Sequence, residues 1–226
     1  MKEIRQADQW FAMNKARNKE EWLEAMKMRA ITSFNAVYAD KEDNIMLLHN
    51  TAGPIRNEAY DWALPVDGTN SELIWDEITP FNEIPLLVNP KSGWIVSANQ
   101  DPFRASAIAD NLKRSDYSPT LGIETKMTNR AYRVIEIFDN DKKFDEKDLL
   151  DAKFDNEYSK ESRSVKYLKN ILEKEYEDEE LKQAQSVLNA WDLKTDNNNR
   201  SAALGVCVLQ EEWISFMSRI VAPNAD

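Results

Sequence analysis

A chain of 226 residues, 42% of them hydrophobic, can bury a core in one large domain or two small ones. Its 40 acidic residues outweigh 29 basic ones to give a formal net charge of −11, which argues against nucleic acid or an anionic membrane surface as the partner. The longest near-apolar run, Ala202 to Leu209, stops at Gln210, Glu211 and Glu212 and falls short of the roughly 18 residues that a membrane span needs.

At the N-terminus Lys2, Glu3 and Arg5 precede an amphipathic pattern with no apolar signal-peptide core, so export by this N-terminus is not expected. Ile4, Ala7, Trp10 or Phe11 and Asn14 recur at helical spacing, and Asn18 with Glu21 three positions on forms a capping-box signature ahead of WLEAMKMRAI. Two short helices packed through Trp10, Phe11, Trp22 and Met26 are expected. Phe34 to Ala39 and Ile45 to His49 read as a β-hairpin whose turn is Asp40 to Asn44.

From Thr51 to Pro90 periodicity gives way to turn signals: Gly53-Pro54, Leu64-Pro65, Asp67-Gly68, Thr79-Pro80 and Asn89-Pro90. The Trp, Leu and Ile content of this stretch argues for an ordered, packed loop rather than disorder. Gly93 to Ala98 (GWIVSA) reads as a short buried strand ending at Asn99. After an irregular passage, Asn129 caps a helix through about Phe138. Three further helices follow in DEKDLLDAKF, SRSVKYLKNILEKEY and EDEELKQAQSVLNAW, and a last one covers about Arg200 to Val221. The organisation expected is an α+β region over residues 1–140 and a mostly helical region over 141–226.

Cys207, within GVCVL, reads as a small buried hydrophobe. The phosphate-loop, dinucleotide, nucleophile-elbow and H-E-x-x-H signatures are all missing. DNDKKFDEKDLL, residues 139–150, imitates a calcium loop, but Lys143 replaces a carboxylate, Phe144 the turn glycine and Leu150 the bidentate Glu. One histidine, His49, cannot form a His-ligated metal site and reads as a packing residue. Trp62, Trp75 and Trp94 among Asp61, Asp67, Asp76 and Glu77 could suggest a sugar cleft, but acids in so acidic a chain are ordinarily the solvated face of loops.

One set of residues is more specific. Asn35-Ala36-Val37-Tyr38-Ala39-Asp40, Asp43-Asn44-Ile45, Pro54-Ile55-Arg56, Leu64-Pro65-Val66-x-Gly68-Thr69, Thr79-Pro80-Phe81, Val88-Asn89-Pro90-x-Ser92-Gly93-Trp94-Ile95 and Ala98-Asn99, in this order and spacing, resemble the penicillin acylase (penicillin amidase) family. That family includes acyl-homoserine-lactone acylases and belongs to the N-terminal-nucleophile hydrolases. The resemblance continues more loosely through Asn129-Arg130-x-x-Arg133-Val134-x-Glu136 and Ala190-Trp191-Asp192.

The resemblance implies part of an αββα sandwich with an appended helical region. It also implies a precursor cut internally, whose new N-terminal residue attacks an acyl amide or an N-acyl-homoserine lactone using its own α-amino group as base. Asn99 matches the family's oxyanion-stabilising Asn, and Arg133 the arginine that supports it. Asp110 and Trp62 fall where some members bind a structural calcium, Trp62 through its backbone carbonyl. A periplasmic or other extracytoplasmic location is implied by the same resemblance. The family's nucleophile has no match among these residues, so the remaining segments of a precursor are implied partners. The rival reading is a non-catalytic binding or structural module derived from an acylase, with Asn99 capping the turn before Asp101-Pro102.

Overall fold

The computed structural model describes residues 3–140 and 142–209. The chain divides into two units, Met1–Lys126 and Met127–Asp226, ahead of the 140/141 boundary read from the sequence. The helix Asn129–Phe138 is tied to later residues: Asn129 Oδ1 accepts from the Ser159 amide at 2.8 Å, and Arg133 reaches Asp155.

In the first unit, β1 (Phe34–Ala39) and β2 (Ile45–Asn50) form the expected antiparallel hairpin, with Asn35 opposite His49 and Ala39 opposite Ile45. The turn is closed by Asp40, whose Oδ1 accepts from the amides of Glu42 and Asn44, and Asp43 takes a left-handed φ of 60°. β2 is the centre of a three-stranded sheet and is apolar on both faces. Met46 and Leu48 join Trp22, Met26, Ala36 and Ile84 on one side, while Leu47 joins Leu87 and Ala105 on the other.

The third strand is β3 (Leu86–Val88), antiparallel to β2 with Leu87 opposite Leu47. It lies in the stretch expected to be a loop, because three residues bounded by Pro85 and Asn89-Pro90 are too few to show a period. Gly93 to Ala98, expected as a strand, belongs to no sheet among the described residues. Its backbone groups are met instead by Ala105 O, which accepts from Val96 N at 2.8 Å, and by the side chain of Gln100. Val96 and Ala98 are nonetheless buried.

Two helices precede the sheet, α1 (Gln6–Lys15) and α2 (Lys19–Met26). Asn18 caps α2 by accepting from Glu21 N at 2.8 Å, and the Glu21 carboxylate returns to the amide of Arg17. Trp22 and Met26 face the sheet as expected. Trp10 does so only in part, its ring tilted against Phe34 of β1 with centroids 6.2 Å apart while it stays 47% exposed; Phe11 is 62% exposed, and the fully buried residue of α1 is Gln9. Gln9 Oε1 accepts from the amides of Ala30 and Ile31 at 2.7 and 2.8 Å, so a polar side chain holds the turn after α2 where the apolar pattern had suggested an aromatic. The long loop is ordered by pairing of residues 53–55 with 77–79 and by Arg56, whose guanidinium lies over the rings of Trp75 and Trp62, 4.7 and 5.7 Å from their centroids.

The second unit is helical: α3 (Asn129–Phe138), α4 (Glu146–Lys153), α5 (Arg163–Leu172), α6 (Glu179–Asn189) and α7 (Ala202–Val208). Asp145, Ser162 and Asp178 accept from amides in the first turns of α4, α5 and α6. Val165, Leu168, Leu188, Trp191, Ala202 and Leu209 form the core. Cys207 is exposed, not buried, because α7 turns Ala202 and Gly205 inward, a spacing that leaves position 207 on another face. Residues 210–221 of the expected last helix lie outside the described residues.

Candidate active site

The ends of the hairpin bring polar side chains to a wall of the first unit. A cavity of about 420 Å3 is lined there by residues that include Asn35, His49, Arg56, Asn99, Gln100 and Asp101. Asn35 and His49 are direct cross-strand partners on β1 and β2, so their side chains share one face of the sheet. The Asn35 amide donates through Nδ2 to Gln100 O at 2.8 Å, and its Oδ1 lies 2.8 Å from His49 Nδ1.

The turn that carries Asn99 is locked by its neighbours. Gln100 is buried; its Oε1 accepts from Ala98 N at 2.6 Å, and its Nε2 donates to Val96 O and Arg104 O at 2.9 and 3.2 Å. Asp101 is also buried, accepting from Phe103 N at 2.9 Å and from Arg104 Nε at 3.0 Å, and Arg104 Nη2 continues to Thr125 O. Asn99 itself is exposed between these anchors and adopts a left-handed φ of 66°. Asn tolerates this region better than most residues, so the position suits an Asn.

Burial pushes the His49 imidazole below its usual value, partly opposed by the Asp101 carboxylate. The cavity therefore has a neutral histidine on one wall and a buried, ion-paired carboxylate on another. Sequence alone does not single out Asn35, His49 or Gln100 as site residues. Asn35 was visible only as the first residue of a recognised block, and His49 as an isolated polar residue in an apolar strand. Their pairing depends on a register that sequence does not print.

The other expected residues are placed as follows. Arg133, on α3 in the second unit, donates to both oxygens of Asp155 at 2.8 Å and to Glu157 at 3.1 Å, with Glu136 at 3.4 Å. It is the hub of an acidic cluster. Asp110 accepts from Ser92 N at 2.6 Å, which holds its carboxyl below the usual carboxylate range. The indole of Trp62 donates to Asn57 O at 2.8 Å. Calcium takes roughly six to eight oxygens. One carboxylate and one backbone carbonyl would be only part of that shell, its remaining ligands coming from outside this chain, and no group of three or more metal-ligating side chains occurs among the described residues.

Comparison with known proteins agrees with the fold. Residues 1–224 match the family model described as Penicillin amidase. A 109-residue region, 48% of this chain, is 35% identical to Penicillin G acylase of Escherichia coli, of which it covers 13%. Among solved structures, the thermostable Penicillin G acylase from Alcaligenes faecalis superposes over 96% of this chain and 38% of its own, with a TM-score of 0.63 and 23% sequence identity. The chain thus spans well under half the length of these relatives. Matched over nearly all its length, the chain belongs to the penicillin amidase family.

Proposed function

We propose that this chain forms part of an amidohydrolase that cleaves a small-molecule acyl amide through a covalent acyl-enzyme, with Asn99 stabilising the oxyanion and the nucleophile supplied by another segment of the same precursor. The observation that carries this reading is Asn99 itself: an exposed carboxamide on a left-handed turn, fixed by two buried neighbours, at the rim of a polar cavity. An oxyanion forms only as the acyl carbon becomes tetrahedral, so a donor serves it best when already in place and not needing to reorganise. A carboxamide N–H has the further merit of not titrating. The His49 side of the cavity adds a neutral imidazole near the same turn.

The test is replacement of Asn99 in the complete acylase. Asn99→Ala and Asn99→Gly should both lower kcat by about 10²–10³ with KM little changed, because an interaction present only in the transition state is lost. The glycine variant keeps the left-handed backbone available and isolates the amide from the turn. If both variants fold and retain kcat within about threefold of wild type, Asn99 is a turn residue and the reading fails.

A further inference from the structure

The carbonyl that Asn35 holds belongs to Gln100, one peptide beyond Asn99, and this places a side chain from β1 in control of the turn. We infer that Asn35 is a positioning residue for Asn99, and that His49 fixes the orientation of Asn35. The inference rests on the oxyanion reading of Asn99 given above.

The geometry supports each link. Asn35 Nδ2 meets a carbonyl, which can only accept, so the opposite end of the carboxamide that faces His49 is Oδ1. Oδ1 is also only an acceptor, so His49 Nδ1 must carry a proton. A neutral imidazole with its proton on Nδ1 satisfies this, and burial of His49 favours the neutral form. Reversing the Asn35 amide would set its NH2 against the Nδ1 proton and its oxygen against a carbonyl, two repulsive contacts in place of two hydrogen bonds. The tautomer of His49 and the rotamer of Asn35 thus specify one another.

The direction of control is from the sheet to the turn. Asn35 and His49 sit in the ladder of the hairpin, where both backbones are paired. Gln100 lies in irregular backbone, held by side-chain bonds. Asn99 has a backbone conformation that carries strain for a residue with a Cβ, so losing the Asn35 bond to Gln100 O, with the Gln100 side-chain bonds still in place, lets the backbone here shift and carries the Asn99 amide with it. An oxyanion donor displaced by a fraction of an ångström loses most of its effect on rate while substrate binding elsewhere is unchanged.

A double-mutant cycle in the complete acylase separates this role from packing. Using a chromogenic acyl amide that the wild type turns over, Asn35→Ala should lower kcat about tenfold or more with KM within about twofold. In an Asn99→Ala background the same substitution should lower kcat by less than twofold, because the group it positions is already gone. Asn35→Asp, which keeps shape and the acceptor toward His49 but cannot donate to Gln100, should reproduce the loss, and it serves as the measured variant if Asn35→Ala does not fold. An equal loss in both backgrounds, or no loss in either, overturns the inference and leaves the reading of Asn99 intact. Should Asn99→Ala itself leave kcat unchanged, that reading and this inference fall together.

Discussion

Gly205 of α7 lies flat against the indole of Trp191, so close that a Cβ added at Gly205 would collide with three atoms of the six-membered ring. Trp191 is itself pinned, donating from Nε1 to Lys194 O at 2.7 Å and packing edge-on against Tyr158. The ring cannot retreat without breaking that bond. Gly205→Ala should therefore destabilise the helical unit by about 1–3 kcal/mol, the usual cost of overpacking, despite the better helix propensity of alanine. Urea denaturation followed by Trp fluorescence reads this directly, and an alanine variant as stable as wild type would show that the indole moves freely.

A second prediction concerns Gln9. Its carboxamide is wholly buried and satisfies two amides at the turn after α2. Gln9→Leu would leave both donors buried without a partner, at about 1–3 kcal/mol for each group and less if water enters. The expected loss is about 2–4 kcal/mol, against under about 1 kcal/mol for Phe11→Ala on the exposed face of the same helix. The reverse order of the two effects would contradict the burial described here.

These residues also show where sequence patterning stopped. The hairpin, the cap at Asn18 and the amphipathic helices were legible because each is written in neighbouring residues. α1 was misjudged because its buried position is polar: the two amides it serves are 21 and 22 residues away, and periodicity counts only apolar side chains. β3 forms where a loop is expected, and GWIVSA stays out of the sheet, for one shared reason. Which of two short apolar segments joins β2 is decided by what lies on both faces of β2, not by either segment's composition.

For the site, Asn99 was readable from the block of turn residues around it. The Asn35 to Gln100 bond was not, since a hydrogen bond across 65 residues leaves no local pattern. Arg133 was read as a support for Asn99; what is observed is its cluster with Asp155, Glu157 and Glu136.

His49, the chain's one histidine, allows an unambiguous titration. Burial lowers its pKa in the folded state, with Asp101 acting against the shift. Because the unfolded chain then takes up the proton first, the contribution of His49 to stability is complete above the ordinary value of about 6.5 and is lost as pH falls from there toward the folded value. The imidazole resonance that disappears in His49→Gln should show a midpoint below 6.5 in the NMR spectrum, and the same substitution should abolish the corresponding slope of stability with pH. A midpoint at or above 6.5 would contradict a neutral His49 in the folded protein.

Arg133 predicts a different window. Its hydrogen bonds hold Asp155 below the usual carboxylate range. A depressed acid stabilises the fold above its unfolded pKa and ceases to do so as pH falls through the folded value. Arg133→Ala should cost about 1 kcal/mol at pH 7, as expected of a partly exposed ion network, and the gap between variant and wild type should narrow below about pH 4. Denaturation series at the two pH values decide it, and a gap that stays constant with pH would exclude the ion pair as its cause.

The central position of β2 has a further consequence for synthesis of the chain. The hairpin is complete once Asn50 has emerged, yet Leu47 finds Leu87 and Ala105, and Asn35 finds Gln100, only after about 50 more residues are made. At roughly 5–20 residues per second this leaves one face of the strand uncovered on the ribosome for roughly 3–10 s. Through that interval the nascent hairpin presents an apolar surface and the unpaired edge of β2, and chaperones or slowed translation over the stretch encoding residues 50 to 105 would govern how much of it reaches the native sheet.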